Sequence, residues 1–156
     1  MAMKLSTWAE VVGVIAVVIS LALLTWELNQ ANNLARFSAY SDINHLYSEM
    51  NQEMASSTQF AELWARLKDE NTGLSEVDVQ RAMGLAYWHR NIWINTERAF
   101  LEGWIDHDKY QMSLNDIESV AQTWPGFKPY MRKVVELLQG DRELTQIEQL
   151  ILEKTS

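Results

Sequence analysis

Apolar positions are unevenly spread along the chain, and the opening stretch holds far more than its share. From Val11 to Trp26 the sequence reads VVGVIAVVISLALLTW without a charge, bounded by Glu10 and Glu27 and preceded by Leu5, Thr7, Trp8 and Ala9. Helical rise sets Trp8 and Trp26 roughly 27 Å apart, close to the ~30 Å hydrocarbon layer, with an amphipathic indole at each headgroup level. The β-branched residues of the first half would favour a strand in water. In lipid, every backbone hydrogen bond must close within the segment, so a transmembrane helix is predicted, meeting the bilayer through residues 5–27. A cleavable signal peptide and the buried core helix of a soluble domain compete with this reading. Lys4 supplies a basic leader and Ser20-Leu21-Ala22 a small-residue site, but cleavage there strands Leu23 to Trp26 on the product, and Glu10 is out of place in a leader.

Nothing breaks the helical pattern after Trp26. The amide-rich run Glu27 to Arg36 extends it as a stalk, residues 28–40, and Ala39, Ile43, Leu46, Met50 and Met54 then form an apolar stripe. Residues 41–156 form the remaining domain, joined to the anchor (residues 1–27) by continuous helix, with no Gly/Ser/Pro-rich tether. Ser56, Ser57 and Thr58 end one helix and cap the next, which carries Phe60, Leu63, Trp64 and Leu67 into a polar loop closed by Gly73. Ser75, with Asp78 three residues on, caps a long central helix through Val79, Met83, Ala86, Tyr87, Trp93, Ile94, Leu101 and Trp104, ending near Gly103. Leu85, Trp88, Ile92 and Phe100 fall on its other faces, so neighbours should surround it. Asp106 or Asp108 caps a helix with Tyr110, Leu114, Ile117, Val120 and Ala121, stopped by Trp124-Pro125-Gly126. Pro129 opens another with Tyr130, Val134, Leu137 and Leu138, ended by Gly140. A capping box, Thr145 to Glu148, opens a last one with Ile147, Leu150 and Ile151. The fold class is all-α: an N-terminal transmembrane helix continuing into a helical-bundle extramembrane domain.

Composition sharpens this picture. Six Gly and two Pro in 156 residues leave little turn chemistry for a many-stranded sheet protein, and the absence of Cys excludes disulfides and thiolate metal sites. A net charge of −8 opposes polyanions, so no nucleic-acid partner is expected. Of seven Trp, five lie outside the anchor region, and at least three of Trp64, Trp88, Trp93, Trp104 and Trp124 are expected in the core.

Candidate chemistry is sparse. Asp42-x-x-His45, extended by Glu49 and Glu53, reads as a solvated helix face sooner than a metal site, since a di-metal bundle needs Glu-x-x-His motifs that this chain lacks. Asp106-His107-Asp108 reads as helix capping in preference to cation binding. On the central helix, Arg90 and Glu97, with His89 alongside, fall on a mostly buried element where charges must be compensated. They form either a polar pocket for a ligand or general acid, or a structural ion pair or hydrogen-bond anchor between helices. No catalytic residue, metal ligand set or cofactor is assigned, and enzyme activity is not expected.

The arrangement resembles a family of small bacterial single-pass membrane-anchored all-helical proteins of uncharacterised activity. The likeness rests on the hydrophobic helix running into the stalk Glu27 to Arg36, on Leu74-Ser75, on Glu97, Phe100, Gly103, Ile105 and Asp106, and on Pro125-Gly126 with Tyr130. It implies the bacterial inner (cytoplasmic) membrane. Family members often carry Arg or Lys just after the membrane helix, implying a cytoplasmic C-terminal domain. Here Glu27, Asn29 and Asn32 stand there and only Arg36 is basic, while Lys4 leans slightly toward a cytoplasmic N-terminus, so both orientations stay open. The expected role is a non-catalytic binding or accessory subunit of a larger membrane assembly, with a membrane-protein partner. A self-associating scaffold or homo-oligomer through Ala31, Ala35, Ser38 and Ala39, and a ligand-binding or enzymatic bundle around Arg90 and Glu97, are the alternatives.

Overall fold

A computed structural model describes residues 5–70 and 73–156; Lys4, and Asn71 and Thr72 of the predicted polar loop, lie outside them. The described residues form six α-helices and no strand: α1 (Leu5–Ser56), α2 (Thr58–Arg66), α3 (Glu76–Leu101), α4 (His107–Thr123), α5 (Lys128–Gln139) and α6 (Gln146–Lys154), with a 3-10 turn at Pro125–Phe127. The protein is therefore all-α. It divides into two compact units, Met1–Ser38 and Ala39–Ser156.

In the first unit, the described residues belong to α1, and from Trp8 to Ser38 every side chain is exposed. Its apolar window has a mean hydropathy of 2.4 and is 0% buried. This helix is long and apolar enough to cross a membrane. Ser20 and Thr25, the hydroxyls within the apolar run, each donate at 2.8 Å to the carbonyl four residues back, Ala16 and Leu21, which satisfies them inside the helix.

The second unit is organised around α3, which packs against α2, α4, α5 and α6. Trp93, Leu85 and Ala86 of α3 meet Leu63 and Leu67 of the α2 region, Ile117 and Val120 of α4, Phe127, Met131, Val134 and Val135 at and within α5, and Ile147 and Ile151 of α6. A smaller cluster joins Ile43 of α1 to Ala99 and Ile105.

Capping chemistry sets the helix boundaries. The side chains of Ser57, Ser75, Asp106 and Thr145 each accept a hydrogen bond from the backbone N–H three residues on, as their positions before the apolar runs predict. At the end of α3, the Trp104 N–H donates to the Ala99 carbonyl at 2.8 Å and the Gly103 N–H to that of Phe100 at 2.9 Å, with Gly103 at φ +72. This is a Schellman termination, which needs a left-handed residue that only glycine adopts without penalty.

Two packing expectations require correction. Leu137 and Leu138 of α5 are 55% and 39% exposed, and the buried stripe is Met131, Val134 and Val135. Phe127 fixes that phase: it is fully buried one turn before Met131 and turns the two leucines outward. Leu101 and Trp104 are likewise exposed, because α3 stops at Leu101 and the Gly103 turn carries Trp104 off the helix. Of the five Trp in this unit, Trp93 is buried, Trp64 and Trp124 pack half-buried against the core with ring centroids 4.5 Å apart, Trp88 is half-buried and Trp104 exposed.

Glycine positions give opposite expectations. Gly103→Ala forces an L-residue to positive φ and should lower stability by about 1 kcal/mol. Gly84→Ala, at an exposed site inside α3 with nothing within 4 Å of the added carbon, should raise it by about 0.5–1 kcal/mol. Denaturant unfolding of the two variants measures both signs.

Candidate functional site

The sequence singles out Arg90 and Glu97, and the structure brings both to the start of α6 without pairing them to each other. An isolated helix N-terminus leaves its first amides without acceptors and carries partial positive charge. Here protein groups meet that need. The Glu97 carboxylate accepts from the backbone N–H groups of Gln146 at 2.9 Å and Ile147 at 3.4 Å. Thr145 Oγ1 accepts from the Glu148 N–H, and Glu148 Oε2 from the Thr145 N–H, completing the capping box.

Glu148 is the centre of the cluster, with a side chain 0% exposed. Arg90 donates through Nε to Oε1 at 3.0 Å and forms an ion pair through Nη2, while Arg142 Nη1 donates to Oε2 at 2.7 Å. Burial alone would raise the Glu148 pKa. The hydrogen bonds from Arg142, Arg90 and the Thr145 amide outweigh burial and hold it down to about 2. Arg90 is itself only 12% exposed, so each buried charge is answered by another. Outside this pair, a groove of about 470 Å³ runs past Arg90, Asn91, Asn95, Arg98, Arg142 and Thr145. Glu97 lines a separate hollow with Ile94, Arg98 and Gln146.

His89 sits one turn from Trp93 in an aromatic surround. Its ring stacks on Trp64 with centroids 5.6 Å apart and meets Phe127 edge-on, and Nδ1 lies 3.0 Å from the Leu85 carbonyl. Burial pushes its pKa below the usual range, so the ring is neutral at pH 7 and Nδ1 carries the donated proton. Asp78 ties α2 to α3: Arg66 pairs with it at 2.7 Å, and with Ser75 and Arg81 holds its carboxyl at about 2. His45 pairs with Glu49 at 3.2 Å on an exposed face, and Asp106 spends its carboxylate on the Lys109 N–H at 2.8 Å. Among the described residues, no group of three or more His, Asp or Glu converges to hold a metal ion. Trp8 and Trp26 are both exposed on α1.

A second polar constellation was not singled out by the sequence. Within the unit from Ala39 onward, α1 and α4 flank a cleft of about 350 Å³, with Thr96 of α3 also lining it. Asp116 Oδ2 accepts from Trp93 Nε1 at 2.8 Å and from the Tyr47 hydroxyl at 3.3 Å. Burial, and then the Asp116 charge, push the Tyr47 hydroxyl above its ordinary pKa and keep it protonated. Lys109 Nζ donates to the Tyr40 hydroxyl and to Asn44 Oδ1, each at 3.3 Å, and stands 4.4 Å over the Tyr40 ring. Spacing could have flagged half of it: Lys109, Met112, Ser113 and Asp116 fall at i, i+3, i+4 and i+7 on α4, so two charges share the face that also carries Ser113.

No protein-family model, curated protein or solved structure matches this chain.

Glu148→Gln keeps the shape of the side chain and removes its charge, leaving Arg90 buried without a counterion. A loss of about 3 kcal/mol is expected. The folded-state pKa of about 2 lies below the ordinary carboxyl value of 4.5, so the Glu148 contribution is fully present above pH ~4.5 and lost as pH falls toward 2. The stability difference between wild type and Glu148→Gln, followed by denaturant unfolding across that window, should shrink with acidification.

Proposed function

We propose that the protein is a single-pass, membrane-anchored helical module that serves as a non-catalytic binding or accessory component of a larger membrane assembly. The observation that carries this reading is the first unit of α1, whose apolar side chains are exposed around the whole helix. Val, Leu and Ile left in water forgo roughly 1.5–3 kcal/mol each relative to burial, a cost that lipid removes. Trp8 and Trp26 then sit at the two interfaces. A bacterial cytoplasmic membrane is the setting that the family resemblance supports.

Two further features favour a binding role. Leu34 and Phe37, three residues apart and beyond the apolar span, are exposed on one side of the stalk, where a neighbouring helix would cover them. The charged groups Glu148, Arg90, Glu97 and Asp78 are engaged in joining helices, which accounts for their place in the packed unit without invoking turnover.

Membrane fractionation of cells producing the full chain tests the anchor. The protein is expected in the membrane pellet after alkaline carbonate washing, with the segment through Trp26 still attached by intact-mass measurement. Recovery in the soluble fraction, or as a form trimmed near Ala22, contradicts the reading. Extraction in mild detergent should then recover a stoichiometric membrane-protein partner. Leu34→Glu with Phe37→Glu should release that partner and leave the protein in the membrane; a partner-free monomer from wild-type membranes counts against the accessory role.

A further inference from the structure

Two charges without an ion-pair partner line the α1–α4 cleft. Asp116 accepts only from neutral donors, both on Oδ2, and among the described residues no cation forms an ion pair with it. Lys109 reaches neutral oxygens and an aromatic face, and among the described residues no carboxylate forms an ion pair with it. Ser113, 3% exposed, lies between Lys109 and Asp116 on α4 with its Oγ buried beside the Tyr47 hydroxyl.

Lys109 and Asp116 are seven residues apart on one face of α4, about 10 Å by helical rise, too far to neutralise each other. Asn44 and Thr96 supply amide and hydroxyl groups, and Ile43 and Met112 apolar surface. A simple anion drawn to Lys109 would meet the Asp116 carboxylate, and a simple cation drawn to Asp116 would meet the ammonium. A ligand carrying both charges, well separated, is matched at both ends. The volume of about 350 Å³ lies at the small end of the range for ligand sites.

We propose that this cleft binds a small zwitterion whose ammonium group sits on Asp116 and whose carboxylate sits on Lys109, the class formed by ω-amino acids and short peptides. Ordinary α-amino acids hold their two charges too close together to reach both residues. This site is independent of the membrane anchor, so either proposal can fail alone.

The test uses the full chain in detergent micelles, with ¹⁵N-labelled indoles. The Trp93 Nε1–H signal, assigned by its loss in Trp93→Phe, reports on Asp116 directly. Titration with 6-aminohexanoate and with triglycine should move it saturably at millimolar or lower concentration. A response to the first alone identifies a flexible ω-amino acid site, and to the second alone a peptide site. Lys109→Met and Asp116→Asn, the second keeping an acceptor for Trp93 and Tyr47, should keep the helical content of wild type and bind at least about tenfold more weakly. The proposal is overturned if neither zwitterion shifts the signal, if hexylamine or hexanoate acts as well as 6-aminohexanoate, or if both variants bind like wild type.

Discussion

A single carboxylate, Glu148, sets the terms for the second unit. Removing a charge from water is unfavourable by several kcal/mol unless other groups replace its hydration. Around Glu148 those groups are two guanidiniums and a backbone amide, drawn from α3, from the α5–α6 connection and from the start of α6. α6 is nine residues long, below the length at which a helix holds itself together in water. Its apolar residues Ile147 and Ile151 pull it onto the core, but hydrophobic contact is indifferent to small slides along an axis. The directional bonds at Glu148 and Glu97 remove that indifference and fix where the helix begins.

The two units treat apolar surface in opposite ways. The second encloses Trp93, Phe127, Ile117 and Val134 among neighbouring helices and leaves its charges on the rim or in matched groups. The first places valine, isoleucine and leucine outward around its whole circumference and satisfies its two internal hydroxyls on its own backbone. A helix of that kind has dealt with its polar groups without recourse to solvent.

The sequence was most legible where structure is local. Ser57, Ser75, Asp106 and Thr145 announce helix starts because a capping bond spans three residues, and Gly103 and Gly140 announce ends because backbone conformation at a termination is a property of one residue. Periodicity was less decisive in α5, where Tyr130, Val134, Leu137 and Leu138 and the true stripe of Met131, Val134 and Val135 both satisfy helical spacing. Only packing against α3 and α6 selects between them. The polar sites show the same boundary. That Arg90 and Glu97 needed compensation follows from their position on a buried helix, but the compensating groups lie 58 and about 50 residues away, beyond the reach of any spacing rule. Asp116 was hidden for a related reason: its donors Trp93 and Tyr47 come from two other helices and look, in sequence, like ordinary core aromatics.

The long reach of the Arg90 to Glu148 contact also shapes how the chain must be made. During synthesis the central helix leaves the ribosome well before residue 148 does, so for that interval the nascent domain carries a guanidinium at a position destined for the interior with no counterion to receive it. Final closure therefore waits on translation of α6, and a ribosome that stalls short of it releases a product whose interior stays open to water and within reach of proteases.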